Sequence, residues 1–133
     1  MQLHTAGLVV IKDRKVLLAY SSNKKAFYLP GGKIDAGETP VQALQREIEE
    51  ELNLVIPSEE LQYFMHITAP AFGENGLIME QECFLHHLTT TPLPSAEVAA
   101  IEFFDAAGYA LQPAQVPGVI VLMNRLQLDG LID

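Results

Sequence analysis

Three glutamates near the end of a predicted helix have the types and spacing best suited to chemistry: Glu47, Glu50 and Glu51. At about 100° per residue, the spacing i, i+3, i+4 places them on one side of an α-helix. Like charges so spaced destabilise a helix, and at its C-terminal end they also meet the negative end of the helix dipole. A bound divalent cation reverses both effects, and carboxylate oxygens suit Mg²⁺ or Mn²⁺. A solvated acidic helix face is the alternative interpretation.

The helix that carries these glutamates is predicted over residues 40–52. Thr39 is a typical N-cap, Pro40 suits the first helical position, and Gln42 stands where a capping box requires it. Asn53 follows the last apolar position and can adopt the left-handed conformation that ends many helices. The apolar positions that recur at helical spacing are Val41, Leu44, Ile48 and Leu52. We therefore expect this face to pack on the rest of the protein, with the glutamates beside it.

A Gly-Gly turn precedes the helix at a fixed distance. Gly32 is followed after five residues by Glu38, and seven further residues lead to Arg46-Glu47. The pattern is completed by Ile48, Glu50-Glu51 and Leu54. Residues 32–54 therefore resemble the Nudix box of the Nudix hydrolase family, G-x5-E-x7-R-E-U-x-E-E-x-G-U with U aliphatic. Asn53 stands where the family has Gly, and since Asn also tolerates the left-handed conformation, Asn53→Gly is expected to be neutral or slightly stabilising.

The resemblance implies a metal-dependent hydrolysis of a nucleoside diphosphate linked to another group X. Water displaces at phosphorus and the diphosphate bond breaks, with Mg²⁺ or Mn²⁺ as the cofactor. Glu47, Glu50 and Glu51 are the implied metal ligands. A backbone carbonyl of Gly31 or Gly32 can add a further ligand, because glycine lets the backbone approach a ligand closely.

The resemblance also implies roles for an acid–base group and for an arginine. One of the three carboxylates, or Glu97, takes the proton from water. The rivals to Glu97 for an additional site carboxylate are Glu102, Glu80 and Glu82. Arg46 is expected to pair with a carboxylate, with Glu38 as the candidate, and so to orient the loop before the helix.

Three polar residues outside the box are candidate substrate contacts. Lys24 and Lys33 can face phosphate, and exposure to solvent is the alternative for both. Gln115 precedes the last predicted helix, where MutT-like members of the family often place a polar side chain that contacts the base edge. His66 can stack on a base, although a surface or core histidine with satisfied hydrogen bonds is the simpler interpretation.

The net charge of −9 over 133 residues limits the possible partners. So acidic a chain repels nucleic acid and membrane surfaces, and it accommodates a phosphate substrate only through bound cations. Cys83 is the single cysteine, which excludes an intramolecular disulfide. No apolar run approaches a membrane span, and the first residues lack the basic region of a signal peptide. We therefore expect a cytoplasmic protein with a small-molecule nucleotide substrate, as a monomer or a homodimer.

The order of the predicted elements indicates the fold. Strands are predicted over residues 3–11, 15–20, 26–29, 61–69, 77–90 and 97–105. A last helix starts at Pro117 and stops at Gly130, with one face formed by Ile120, Met123, Leu126 and Gln127. Hairpins without regular βα alternation favour an α+β fold, a mixed sheet covered by helices on both faces. The resemblance implies an α/β/α sandwich, and we expect a single domain over residues 1–133.

Three functions are consistent with this pattern. The first is a MutT-like pyrophosphohydrolase that converts a nucleoside triphosphate, ordinary or oxidised, to the monophosphate and pyrophosphate. The second is a Nudix hydrolase of ADP-ribose, a dinucleotide or a nucleotide sugar. The third is a Nudix-fold sensor that binds a nucleotide without cleaving it. The full set of carboxylates disfavours the sensor, and the short chain favours the triphosphate.

Overall fold

The computed structural model describes all residues from Met1 to Asp133. Its strands are β1 (Gln2–Val9), β2 (Ile11–Lys12), β3 (Lys15–Ser21), β4 (Ala26–Tyr28), β5 (Gly31–Lys33), β6 (Gln62–Pro70), β7 (Ile78–Leu85) and β8 (Val98–Phe104). Its helices are α1 (Pro40–Leu52), α2 (Ala106–Tyr109) and α3 (Pro117–Leu128), with a 3₁₀ turn at Ser58–Glu60. None of the helices has both the length and the apolar character required to span a membrane.

The strands form two four-stranded sheets. The first has the order β5-β1-β7-β6 and is mixed, because β1 and β7 run parallel while the other pairs are antiparallel. The second is antiparallel, with β3 paired to β2, β4 and β8. At Val10 the chain passes from the first sheet to the second, since the Leu17 amide donates to the Val10 carbonyl.

Alternating side chains of β1 and β3 enter two separate cores. One core contains Val9, Val16 and Leu18 together with the buried face of α3. The other contains Leu8, Val10 and Leu17 together with the buried face of α1. Because successive strand residues point to opposite faces, α1 and α3 must cover opposite sides of the strands. The predicted α/β/α sandwich with a mixed sheet is therefore confirmed, although the strands divide into two sheets.

Helix α1 begins and ends where the sequence predicted. Thr39 accepts a hydrogen bond from the Gln42 amide, and the Gln42 side chain accepts one from the Thr39 amide, which completes the capping box. Asn53 has the left-handed conformation, with φ 57° and ψ 37°. The buried residues of the helix are Ala43, Leu44, Ile48 and Leu52.

Two sequence-based expectations about element boundaries and faces are wrong. The strand predicted over residues 77–90 ends at Leu85, because its pairing with both β1 and β6 stops there, apart from one further hydrogen bond from the His86 amide to the Val9 carbonyl. The buried residues of α3 are Gly118, Val119, Leu122, Met123 and Leu126, whereas Ile120 and Gln127 are exposed. Gly118 packs closely against Met79, since a Cβ at position 118 would lie 2.7 Å from the methyl carbon of Met79.

Tyr109 connects three elements through its hydroxyl. It lies at the end of α2, a helix that the sequence analysis did not predict. The residue is 2% exposed. Its hydroxyl donates to the Phe27 carbonyl at 2.9 Å and accepts from the Val116 amide at 2.8 Å. The hydroxyl thus links α2 to the end of β4 and to the start of α3.

We expect Tyr109→Phe to lower the free energy of unfolding by about 1–3 kcal/mol, because two buried backbone groups lose their partner. Tyr63→Phe is the matched control, since it removes an exposed hydroxyl that donates to Glu82 at 2.9 Å. Urea unfolding measures both variants. Equal stability of the two would show that the buried bridge contributes nothing.

Candidate active site

A cleft with a cavity volume of about 240 Å³ opens between the two sheets. Several residues singled out in the sequence line it: Lys24, Gly31, Gly32, Lys33, Glu51 and Glu97. The rest of its wall is largely apolar, with Leu3, Leu29, Phe72 and Met79 among its residues. The structure thus brings the Gly-Gly turn, one helix carboxylate and the loop carboxylate to a single cavity.

Glu51 is the half-buried helix carboxylate of the cleft. One of its oxygens accepts a hydrogen bond from the Gly31 amide at 3.0 Å. Burial raises the pKa of Glu51 to about 8, and the nearby charges of Glu47, Glu97 and Glu50 act in the same direction, while the Gly31 hydrogen bond opposes them. When no cation is bound nearby, Glu51 is therefore protonated at neutral pH.

The glycine turn allows the helix carboxylates to come this close. Gly31 has φ 138°, and a Cβ there would overlap the Ala6 carbonyl oxygen. A Cβ on Gly32 would lie 2.6 Å from the carboxylate carbon of Glu47. Gly31 thus excludes any side chain because the obstacle is backbone, whereas a side chain at Gly32 would have to displace the Glu47 carboxylate.

Arg46 supplies positive charge to this side of α1. Its guanidinium donates to both Glu38 oxygens, at 2.8 and 2.9 Å, to Glu47 at 2.8 Å and to the Lys33 carbonyl at 3.0 Å. Asp35 lies 3.2 Å away. The Arg46 hydrogen bonds, and one from the Asp35 amide, lower the pKa of Glu38 to about 2. The predicted Arg46–Glu38 pair is present, and it ties the loop before the helix to α1.

The donor chemistry of the cluster suits a hard divalent cation. As the side chains stand, no three His, Cys, Asp or Glu residues converge on one point that could hold a metal. All the available donors are nevertheless carboxylate oxygens, the type that Mg²⁺ and Mn²⁺ prefer. Burial raises the pKa of Glu47 as well as that of Glu51. Glu50 is 55% exposed and has room to turn towards either neighbour.

The loop that carries Glu97 is fastened to the C-terminal end of α1. Asn53 Nδ2 donates to the Leu93 carbonyl at 2.6 Å and to Ser95 Oγ at 3.1 Å. Ser95 Oγ donates to the Glu50 carbonyl at 2.5 Å, and the Ser95 amide donates to the Glu51 carbonyl at 2.9 Å. The last carbonyls of the helix are thereby satisfied by this loop, which leads directly to Glu97.

Of the four carboxylates proposed as an additional site group, only Glu97 lines the cleft. Glu80 and Glu82 instead contact His66, at 2.6 and 2.8 Å, on an exposed part of the first sheet. Their hydrogen bonds raise the pKa of His66. Glu102 lines a different, shallow depression. His66 is accordingly a surface histidine with satisfied hydrogen bonds.

The three predicted substrate contacts have different surroundings. Lys33 lines the cleft with an exposed side chain. Lys24 also lines it, but its Nζ donates to the Phe72 carbonyl at 3.2 Å and to Glu74 at 3.1 Å, so it holds the neighbouring loop. Gln115 does not line the cleft, because its amide donates to the Ala110 carbonyl at 2.9 Å and to the Gln112 carbonyl.

Sequence reasoning missed other polar residues of the cleft. Thr5, Tyr28 and Gln81 line it, and both Thr5 and Gln81 are buried. One signal was available for Gln81, since it lies between Met79 and Cys83 on the same face of an alternating strand. A polar residue at such an apolar position indicates either a paired core group or a ligand contact.

The family model described as NUDIX domain matches residues 1–121. The chain therefore belongs to the Nudix family. It is 66% identical over 32 residues to 8-oxo-dGTP diphosphatase of Haemophilus influenzae, which is 24% of each protein. It is 44% identical over 61 residues to ADP-ribose pyrophosphatase of Methanocaldococcus jannaschii, which is 41% of this chain and 36% of that protein. These matches span well under half the length of either relative.

Solved structures share the fold over nearly the whole chain. The MutT protein from Methanosarcina mazei superposes with a TM-score of 0.78 at 12% identity, covering 97% of this chain and 95% of that one. A bifunctional NMN adenylyltransferase/ADP ribose pyrophosphatase from Francisella tularensis, complexed with AMP and a manganese ion, superposes with a TM-score of 0.67 at 17% identity. That match covers 98% of this chain and 42% of the other.

The side chain of Asn53 changes the expectation for Asn53→Gly. Glycine keeps the left-handed conformation but loses both hydrogen bonds to the 93–95 loop. We expect a loss of about 1 kcal/mol of stability and faster amide hydrogen exchange at Leu93 and Ser95. Exchange at wild-type rates in this variant would show that the side chain does not hold the loop.

Metal-free protein should lose stability as pH rises, because the pKa of Glu51 is higher in the folded chain, about 8, than its ordinary value of 4.5. The folded state then binds the extra proton, so this contribution is complete below pH 4.5 and is lost as pH rises through about 8. Between these pH values, the unfolding free energy of Glu51→Gln should fall less than that of the wild type, by more than about 1 kcal/mol. Unfolding is measured in the presence of a chelator. Glu49→Gln is the control, because Glu49 is an exposed carboxylate of the same helix. Parallel curves for wild type and Glu51→Gln would contradict the assignment.

Proposed function

We propose that this chain is a Mg²⁺- or Mn²⁺-dependent Nudix pyrophosphohydrolase that acts on a nucleoside triphosphate, ordinary or oxidised, to give the monophosphate and pyrophosphate. The observation that carries the proposal is the half-buried Glu51 carboxyl, which shares the cleft with the Gly-Gly turn and Glu97. The short, highly identical match to an 8-oxo-dGTP diphosphatase supports a triphosphate substrate. We propose that residues 1–133 form one catalytic domain.

The cation, when bound, would neutralise phosphate charge and make a water molecule more acidic. Glu47, Glu50 and Glu51 would hold it, with a backbone carbonyl of Gly31 or Gly32 as a further ligand. Oxygen ligands on adjacent turns of one helix and in a side-chain-free turn suit this task.

The residues of the chain would divide the remaining work. Glu97, or one carboxylate of the helix, takes the proton as water adds to phosphorus and the bridging P–O bond breaks. Lys33 faces the leaving or retained phosphate at the mouth of the cleft. Arg46 contacts no substrate in this scheme; it holds Glu47 and the preceding loop in place.

Hydrolysis of ADP-ribose, a dinucleotide or a nucleotide sugar is the second candidate. It is supported by the 61-residue match to an ADP-ribose pyrophosphatase. A sensor that binds without cleavage is less well supported. Nothing in nucleotide binding alone requires a buried carboxyl surrounded by three further carboxylates, which destabilises the metal-free protein.

We expect Glu50→Gln and Glu51→Gln each to lower kcat by about two orders of magnitude or more at saturating Mg²⁺, because each removes a ligand or base while the fold persists. Product formation is measured with common and oxidised nucleoside triphosphates, ADP-ribose, a dinucleoside polyphosphate and a nucleotide sugar. Glu49→Gln is the control, since its exposed side chain lies on the same helix away from the cleft.

Each outcome of this assay decides between the candidates. Cleavage of triphosphates by wild type and Glu49→Gln, but not by Glu51→Gln, would support the proposal. Cleavage confined to ADP-ribose, the dinucleotide or the sugar would select the second candidate. Nucleotide binding without cleavage of any compound would select the sensor.

A further inference from the structure

Two polar side chains are buried in the cleft wall without adequate hydrogen-bond partners. Gln81 is 7% exposed and Thr5 is 6% exposed. Thr5 Oγ1 has no hydrogen-bond partner, and neither has the buried hydroxyl of Tyr28, which lines the same cleft. The only side-chain contact of the Gln81 amide is a long one, in which its oxygen accepts from Cys83 Sγ at 3.9 Å. Burial of an unpaired amide or hydroxyl is costly, so these groups point to a ligand that completes them.

The sheet register places this pair between two chemically different ends of the cleft. Thr5 lies directly opposite Gln81 across the parallel β1–β7 pair and opposite Lys33 across the β1–β5 pair. Two residues along β1, Gly7 lies opposite Gly31, whose amide binds Glu51. Two residues of strand span about 7 Å. The backbone of Thr5 and Gln81 is therefore roughly one such step from Gly31, and the Gln81 side chain extends from there towards Gly7.

Away from Gly7, the cleft wall beside the pair is largely apolar. In the opposite direction along the strands, Leu3 lies opposite Met79, and both line the cleft. Tyr28 also lines the cleft, and burial raises the pKa of its hydroxyl to about 12, so that it stays neutral. This end of the cleft can accept a flat, neutral ring, with Phe72 as an aromatic wall.

The Gln81 amide lies close against the backbone of Gly7. A Cβ on Gly7 would lie 3.0 Å from Gln81 Nε2 and 2.5 Å from Leu29 Cδ2. The glycine therefore leaves the space that the glutamine side chain occupies against the strand. An amide held in this way contributes a donor and an acceptor in a fixed arrangement, which suits recognition of the edge of a planar ring.

We propose that Gln81, with Thr5 beside it, hydrogen-bonds to the edge of the nucleobase and determines which base the cleft accepts. The proposal rests on the proposed function and adds the specificity-determining residue. It gives Gln81 the role that the sequence suggested for Gln115, whose amide is committed to its own loop. The ligand edge must offer both an acceptor and a donor, as the edge of a neutral base does.

The test compares Gln81→Met, Thr5→Val and Gln127→Met with the wild type. In the first two variants the new side chain is apolar and close in shape to the original one. Gln127 is an exposed glutamine on α3, so Gln127→Met serves as the control. Two quantities are measured: kcat/KM for triphosphates that differ only in the base, and calorimetric affinity for the matching nucleoside monophosphates. We expect Gln81→Met to reduce the preference between the best and the worst base by about ten-fold, with a smaller reduction for Thr5→Val.

Thermal unfolding of the ligand-free variants separates recognition from a structural role. Because neither group is properly paired in the free protein, Gln81→Met and Thr5→Val should be as stable as the wild type or more stable. A structural role predicts lower stability with an unchanged base preference, and this result would overturn the proposal. A Gln81→Met variant with the wild-type preference, or a wild type without any preference, would also overturn it.

The two readouts distinguish this proposal from the proposed function. If the wild type cleaves no compound but binds the monophosphates with a base preference that Gln81→Met abolishes, the enzyme assignment fails and the role of Gln81 stands. If the wild type cleaves triphosphates with a preference that Gln81→Met retains, the enzyme assignment stands and the role of Gln81 fails.

Discussion

The hydrogen bonds and ion pairs of the Arg46 guanidinium hold together the acidic side of α1 and the loop before it. It binds Glu38 through two nitrogens, contacts Glu47 and Asp35, and donates to the Lys33 carbonyl. A planar fork of donors can hold several carboxylates at fixed angles, which a lysine ammonium cannot do. Glu47 is partly desolvated beside Gly32, and the Arg46 guanidinium offsets its charge. Arg46 therefore makes it possible to fold a helix with three carboxylates on one side, and at the same time it fixes the loop that leads into the cleft.

A second constraint acts on the opposite side of these carboxylates. Gly31 has no room for a side chain, a side chain at Gly32 would displace the Glu47 carboxylate, and the Gly31 amide donates to the half-buried Glu51. The end of α1 is closed by the 93–97 loop, because Asn53 and Ser95 connect the last helical carbonyls to that loop. Asn53 thus provides both the left-handed termination and a tether, whereas glycine would provide only the first. The position of Glu97 relative to Glu51 consequently depends on a residue that contacts neither substrate nor metal.

Prediction from the sequence succeeded where short-range interactions decide the structure. The bounds of α1 follow from Thr39, Pro40, Gln42 and Asn53, which act within one turn of the helix ends, so the predicted range agrees with the observed one. The end of β7 was missed, because alternation continues to His87 while the strand stops where its partner strands stop. The buried face of α3 depends on Gly118 against Met79, a contact between distant segments. The amides of Gln81 and Gln115 and the ammonium of Lys24 are equally ambiguous in sequence, since only the tertiary structure determines which polar groups already have partners.

The two ends of the cleft share one physical property, because each contains groups that the free protein leaves in an unfavourable state. At one end a half-buried carboxyl with a pKa of about 8 lies among further carboxylates. At the other, the hydroxyls of Thr5 and Tyr28 are buried without partners, beside the Gln81 amide with its one long hydrogen bond. Elsewhere in the chain, local propensity, burial and hydrogen bonding agree with the fold. Stability alone would favour apolar or solvated side chains at these positions as well. Under the proposed function, a nucleotide with a bound cation would complete both ends at once, because the cation would offset the carboxylates and the base edge would satisfy the amide.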